Sequence, residues 1–185
     1  NKANHLGKYV LTTVLGTGGI GEVFRAWDTE LRRWVAVKVL KDLDKANARE
    51  WLHREAQVAA GLDHPNIIRV YDVGEEEGVP FIAMQLIEGQ SLELAQKELS
   101  LPAKVLASRK IAEALQYAHA KNVIHRDLKP ANVMVDREGE VFVLDFGLAK
   151  ETKVSGHTLS MTGMVVGTPS YMSPEQAKGK ANKQS

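Results

Sequence analysis

A change of periodicity near residue 90 constrains this chain more than any other feature of it. Before that point, β-branched and aromatic residues gather in short runs that predict strands at 9–15, 23–27, 34–40, 67–73 and 80–87. The run 46–62 breaks the pattern, with Trp51, Leu52, Val58, Ala59 and Leu62 at helical spacing. His64-Pro65-Asn66 ends that helix, because the residue before a proline is pushed out of the helical region. Beyond residue 90, Val105, Ser108, Ala112, Leu115 and Ala118 form one stripe along 102–121 and predict a long amphipathic helix. Short apolar pieces at 133–135 and 141–144 flank Asp136-Arg137-Glu138-Gly139, which reads as a small hairpin. The segment 151–170 is rich in Ser, Thr and Gly and reads as a mobile loop. Strands around one helix, followed by a mainly helical piece, predict an α+β chain whose first unit has about 85–90 residues.

Composition narrows the function classes. The chain has 185 residues, of which 44% are hydrophobic and 25% charged, enough apolar material for a core. Its net charge of +1 lacks the basic field of a dedicated nucleic-acid binder. With no cysteine, disulfides, thiolate catalysis and Cys-ligated zinc are excluded. No stretch reaches the roughly 20 apolar residues of a membrane span, and no secretory signal follows Asn1-Lys2-Ala3-Asn4-His5. These features predict a reduced, cytoplasmic setting, with room for a membrane anchor outside this segment.

Leu15-Gly16-Thr17-Gly18-Gly19-Ile20-Gly21-Glu22-Val23 contains G-x-G-x-x-G. Alone that pattern is weak. The dinucleotide-binding version must open a helix, and the residues after Gly21 read as a strand. A dinucleotide-dependent oxidoreductase therefore fails, although Asp42 mimics the acidic partner of that fingerprint. What remains is a glycine-rich hairpin whose backbone N–H groups can approach phosphates without a Cβ between. Lys38, in Val35-Ala36-Val37-Lys38-Val39, reads by itself as a solvent-facing lysine. Glu55, however, falls inside the apolar stripe of the 46–62 helix, and a carboxylate there needs a cation. Lys38 is the natural partner.

The stretch His125-Arg126-Asp127-Leu128-Lys129-Pro130-Ala131-Asn132, then Asp145-Phe146-Gly147, carries the richest chemistry. Singly, His125 reads as a core histidine, Asp145 as a turn residue and Asn132 as a cap. Together, Asp127, Lys129, Asn132 and Asp145 supply a base, an ammonium and two oxygen ligands. Oxygen ligands without cysteine or a histidine cluster suit Mg²⁺ carrying substrate phosphates.

In this order, with Ser173-Pro174-Glu175 closing the series, these motifs resemble those of the eukaryotic-type (Hanks-type) serine/threonine protein kinase domain. Asp-Leu-Lys-Pro-Ala-Asn, Gly167-Thr168-Pro169 and Ser173-Pro174-Glu175-Gln176 are similar to bacterial members, and Ser173 stands where the family usually has Ala. The resemblance implies a two-lobed fold. Residues 1–87 would form an N-lobe with a five-stranded antiparallel sheet and the helix that the family calls αC. Residues 88–185 would form a partial, mainly helical C-lobe.

The resemblance also implies roles. Gly16, Gly18 and Gly21 would cover the phosphates of ATP, and Lys38, held by Glu55, would bind the α- and β-phosphates. Asn132 and Asp145 would hold Mg²⁺, or Mn²⁺ in its place. Asp127 would accept the proton of a protein Ser or Thr hydroxyl, with Lys129 steadying the transferring phosphoryl group. Leu15, Val23, Ala36 and Met134 would sandwich the base, with Met84 as gatekeeper, Gln85 to Ile87 as hinge and Ser91 at the ribose. Within 148–172, Thr162 or Ser160 would carry an activating phosphate received by Arg126, while Thr168 would line the substrate turn. The alternative is a nucleotide-binding regulatory or scaffold fragment without transfer activity. The family's domain continues past Ser173-Pro174-Glu175, so the chain is expected to be truncated after its activation segment and weakly active. Its incomplete C-lobe, through Leu106, Ile111 and Leu115, would then invite self-association.

Overall fold

The structure, a computed structural model, describes residues 4–18, 21–40, 61–125, 127–146, 169–171 and 174. The chain divides into two compact units, residues 1–63 with 68–88 and residues 64–67 with 89–185.

The first unit is an antiparallel sheet of six strands in the order β1-β2-β3-β4-β6-β5. Its members are β1 (His5–Leu6), β2 (Tyr9–Gly18), β3 (Gly21–Asp28), β4 (Arg33–Leu40), β5 (Val70–Glu76) and β6 (Val79–Gln85). Five match the expected runs. The sixth, β1, is two residues long and exists through its pairing with Tyr9 and Val10. Strand β5 starts at Val70 rather than at 67, because Ile67 bridges to Val143 in the second unit. The turn between β3 and β4 is built on Asp28, whose buried Oδ1 accepts the N–H groups of Glu30 (3.1 Å) and Leu31 (3.0 Å).

Strand β4 is buried from Val35 to Leu40 on both of its faces, so it reads as a continuous apolar run with one lysine in it. One face belongs to the core, where Val35, Val37 and Val39 pack with Leu6, Tyr9, Ala26, Phe81 and Ala83. Tyr9, with its ring 5.5 Å from that of Phe81, donates its hydroxyl to Asp72 at 2.9 Å and ties β2 to β5.

The second unit contains the sheet β7-β8-β9, formed by β7 (Gly89–Ser91), β8 (Val133–Asp136) and β9 (Val141–Val143). Helix α1 (Leu92–Ala95) follows β7, and α2 (Leu101–Ala120) follows α1. Ser100 caps α2 by accepting the N–H of Ala103, and Pro102 sits in its first turn, where a missing N–H costs nothing. The buried line of α2 is Ala107, Ala114 and Ala118, with Ile111 partly buried between them. This corrects the expected stripe, since Val105, Ser108 and Ala112 are exposed. Ala107 packs with Ala95, Val133, Val135 and Val141, where small side chains let the helix approach the sheet closely. Residues 64–67 attach to the same sheet: Asn66 donates Nδ2 to the Val141 carbonyl (2.9 Å), and its own carbonyl accepts the N–H of Val143 (2.9 Å).

The helix expected at 46–62, apart from its last two residues, and nearly all of the 151–170 loop lie outside the described residues. Among the described residues, no helix is long and apolar enough to cross a membrane.

Candidate active site

The residues singled out in the first unit converge through strand register. In an antiparallel pair, opposite residues project to the same face. Val23 lies opposite Lys38, and Lys38 opposite Ile82. One pleat along, Arg25 lies opposite Ala36, and Ala36 opposite Met84. Val23, Ala36, Lys38 and Met84 therefore share the face of the sheet opposite the Val35–Val37–Val39 core. Lys38 is buried there, at 8% exposure, and a lysine so placed needs a partner for its ammonium. Ile82 completes the row and carried no signal of its own in the sequence, since only the register reveals its neighbours.

At the open end of this face β2 and β3 meet as a glycine hairpin, with Gly16 opposite Val23 and Gly18 opposite Gly21. The glycines differ in what requires them. A Cβ on Gly21 would lie 2.0 Å from the Val39 carbonyl oxygen, and its φ is +155°. Gly16 meets nothing within 4 Å, and Gly18 only touches the Gly21 carbonyl at 4.0 Å. Thus Gly21 is demanded by the sheet itself, and the other two leave room beside the backbone. Leu15, expected against the base, is half exposed. Gln85 ends β6 opposite Val35, its N–H held by the Arg69 carbonyl at 2.8 Å, and Ile87 follows in the connecting segment.

In the second unit, Ser91 and Met134 sit opposite one another in β7 and β8. Val133 and Val135 point into the core, so Met134 lies on the other face with Phe142. The three residues after Lys129 complete a tight constellation with Asp127. The residue before a proline is extended, and Lys129 is (φ −156°, ψ 161°). Pro130 then opens a 3-10 turn, Pro130–Asn132, closed by the Asn132 N–H on the Lys129 carbonyl at 2.9 Å. The turn brings Asn132 back to Asp127: Nδ2 donates to the Asp127 carbonyl (2.8 Å) and to its carboxylate Oδ2 (3.1 Å). Lys129 Nζ lies 2.9 Å from the same Oδ2. Sequence spacing alone thus becomes a carboxylate held from two sides.

His125 links this group to Asp145. Its buried Nε2 is 2.7 Å from the Leu144 carbonyl, and its Nδ1 accepts the N–H of Asp127 at 3.3 Å. That pair of bonds fixes the tautomer with the proton on Nε2. Burial pushes the imidazole below its ordinary value, against the pull of the Leu144 bond and of the Asp145 and Asp127 charges. Its ring packs edge-on against Phe146 at 4.8 Å. His125 was legible only as a member of its motif, and its role in joining the two segments emerges from the geometry. Leu144 is held a second way, donating its N–H to the Asn132 carbonyl at 2.9 Å. Asp145 follows with φ +55°, a left-handed conformation that Asp tolerates better than most residues.

Glu55, Arg126, Ser160, Thr162 and Thr168 lie outside the described residues.

Residues 9–185 match the protein kinase domain family. Over 183 residues the chain is 45% identical to a Streptomyces coelicolor protein named as a probable serine/threonine-protein kinase, a match covering 94% of this chain and 27% of that one. It is 40% identical over 179 residues to the serine/threonine-protein kinase PrkC of Bacillus subtilis, covering 94% of this chain and 27% of PrkC. It is 41% identical over 184 residues to the serine/threonine-protein kinase PknB of Mycobacterium tuberculosis, covering 93% and 29%. The fold is similar to the crystal structure of the M. tuberculosis PknI kinase domain, with a TM-score of 0.66 and 32% identity over 78% of this chain and 60% of that one. The chain belongs to the protein kinase domain family, in a bacterial serine/threonine-kinase-like form, and its fold is the protein kinase fold. It spans between a quarter and a third of the length of these curated relatives.

Proposed function

We propose that this chain provides the nucleotide-binding and catalytic segments of a serine/threonine protein kinase, which transfers the γ-phosphoryl group of ATP to a protein hydroxyl. In this reading residues 1–87 are the N-lobe and 88–185 the first part of the C-lobe, acting in the cytoplasm, where ATP is. The observation that carries it is the Asp127 carboxylate, held by Asn132 Nδ2 at 3.1 Å and by Lys129 Nζ at 2.9 Å. A carboxylate so placed can orient a hydroxyl and take its proton as the phosphoryl group leaves ATP. Lys129, beside it, would balance charge on the transferring group.

In the first unit, Gly16 and Gly18 have open space where a side chain would begin, which would let phosphate oxygens approach the backbone, and Lys38 would receive the α- and β-phosphates with Glu55 as its support. Val23, Ala36 and Met84, on the same face, would meet the base, with Leu15, Gln85, Ile87, Ser91 and Met134 contributing around it.

The donor set suits Mg²⁺. Among the described residues no group of three or more His, Cys, Asp or Glu side chains could hold a metal by itself. Two oxygen donors, the Asn132 amide oxygen and the Asp145 carboxylate, fit an ion whose remaining ligands are phosphate and water. Since the Asn132 nitrogen is committed to Asp127, its oxygen is the end available to a cation. When bound, the ion would neutralise charge on the β- and γ-oxygens.

Control would come from the activation segment 148–172, where a phosphate on Thr162 or Ser160 would be received by Arg126. The test is transfer of label from γ-labelled ATP to a generic basic protein. Transfer by the parent that Asp127→Asn abolishes supports the reading. A parent that binds ATP and transfers nothing favours a regulatory module instead.

A further inference from the structure

The face that carries Val23, Ala36 and Lys38 extends one pleat further, to a cluster that the kinase reading leaves unused. Arg25, opposite Ala36 on β3, places its guanidinium carbon 3.9 Å from the centroid of the Trp34 ring. Trp34 lies opposite Trp27 and meets it edge-on, with ring centroids 5.2 Å apart and planes at 68°. Arg25 Nη2 lies 4.0 Å from Glu88 Oε1. Strands β3 and β6 are not neighbours, because β4 separates them. The Arg25–Glu88 pair therefore joins β3 directly to the segment that leaves β6 after Gln85.

Along the face, Lys38 and Val23 come first, then Ala36, Met84 and Arg25 about 7 Å on, then Trp34 and Trp27. A ligand whose phosphates meet Lys38 directs its other end toward Arg25. Both partners of the ion pair are substantially exposed, and such pairs add little to stability. Stacking on Trp34 holds the planar guanidinium in one orientation, so less freedom is lost when it pairs with Glu88.

We propose that Arg25 is a positioning residue: stacked on Trp34 and paired with Glu88, it fixes the segment 85–88 at the base end of the nucleotide site and thereby tightens nucleotide binding. This rests on the nucleotide-binding reading above. The arrangement belongs to these particular side chains, since it needs Arg25, Trp34 and Glu88 together.

The test is calorimetry of ATP and of adenosine on the full chain, comparing the parent with Arg25→Ala, Glu88→Ala, the double variant and Arg25→Lys. Arg25→Ala and Glu88→Ala should each raise the Kd by about two- to fivefold, the range that an exposed ion pair of this kind can support. The double variant should bind no more weakly than the weaker single, because both remove one link. The loss should be as large for adenosine as for ATP, since a clamp on the base end does not depend on phosphate charge. Arg25→Lys should fall between Arg25→Ala and the parent, and its thermal midpoint should match the parent's. Arg109→Ala, which breaks the exposed Arg109–Glu113 pair on α2, serves as the control and should leave both Kd values alone.

Singles that bind like the parent overturn the proposal, as do additive losses in the double variant or a loss confined to ATP. A parent that binds neither ligand overturns the nucleotide reading and the clamp with it, whereas a binding parent with unchanged variants overturns the clamp alone. If Arg25→Ala loses its fold, Glu88→Gln carries the test, and a Kd equal to the parent's overturns the proposal.

Discussion

Asn132 holds Asp127 twice, with one amide nitrogen bonded to both its backbone carbonyl (2.8 Å) and its carboxylate (3.1 Å). The carboxylate is thereby oriented before any substrate arrives, which is where the proposed transfer would gain rate. Asp127→Asn keeps size and most hydrogen bonding but removes the carboxylate that the proposed transfer uses as its proton acceptor. Transfer should fall by about 100-fold or more, the usual contribution of a general base, while ATP affinity stays within a factor of about two. Single-turnover transfer and ATP calorimetry on the same variant check this. A variant that still transfers at the parent's rate assigns the proton elsewhere.

Asp145 allows a cleaner separation of charge from shape. Its backbone is left-handed, and Asn is among the residues that accept that conformation. Asp145→Asn should therefore leave the thermal midpoint near the parent's and remove one anionic oxygen. ATP binding should lose its enhancement by Mg²⁺, whereas Asp127→Asn keeps it. Calorimetry of ATP with and without Mg²⁺ distinguishes the two, and equal enhancement in both would take the metal away from Asp145.

Lys38→Met replaces an ammonium on a buried strand by an apolar side chain of similar length. The fold should hold, because β4 is packed on both faces and Met fills the space of the lysine stem. Transfer should fall by about 100-fold, more than nucleotide affinity does, since a positioned cation acts mainly on charge in the transition state. Circular dichroism melts and turnover on the full-length protein measure the two effects separately. Turnover equal to the parent's would mean that Lys38 is only a structural lysine.

The glycine hairpin should divide by position. Gly21→Ala puts a methyl group 2.0 Å from the Val39 carbonyl oxygen, so β3 and β4 must separate there, at a cost of about 2 kcal/mol or more. Gly16→Ala has open space around its Cβ and should change stability by less than about 1 kcal/mol while weakening nucleotide binding. Denaturant melts rank them. Equal destabilisation would show that the hairpin is held by something other than the β3–β4 approach.

Strands such as Val35-Ala36-Val37-Lys38 were legible because alternation and β-branching report local geometry directly. The motif residues Asp127, Lys129 and Asn132 were legible for a related reason, since they lie within one turn and Pro130 dictates its shape. What escaped was set by tertiary partners. β1 exists only because Tyr9 and Val10 offer it an edge. The phase of α2 was misread because its apolar positions run nearly all round the helix. Burial falls instead on the alanines at 107, 114 and 118, the first of them against the sheet, and leaves Val105 at 62% exposure. Ile67 looked like the start of a strand, yet it pairs with Val143, a contact between residues far apart in sequence. The Arg25–Trp34–Glu88 cluster was invisible for the same cause: each residue is ordinary alone, and only the register of β3 on β4 brings the first two together.

His125 carries the last prediction, which concerns pH. Burial is the largest influence on its imidazole and lowers its proton affinity in the folded chain. In the unfolded chain the same group takes up a proton near the ordinary value of about 6.5. Between that value and the depressed folded one, the unfolded state binds more protons than the folded state. The stability from neutral His125 is therefore fully present above about pH 6.5 and is lost as pH falls through the folded value. Protonation would also end the acceptance of the Asp127 N–H at Nδ1, so the Asp127 segment should loosen over the same range. His125→Asn has no titration, and it should show a shallower fall of thermal midpoint between pH 7 and pH 5 than the parent, from a lower starting point because the Phe146 contact is lost. Parallel midpoint curves for the two proteins would mean that His125 does not carry the acid sensitivity, and an imidazole NMR titration with a midpoint at or above the ordinary value would say the same directly.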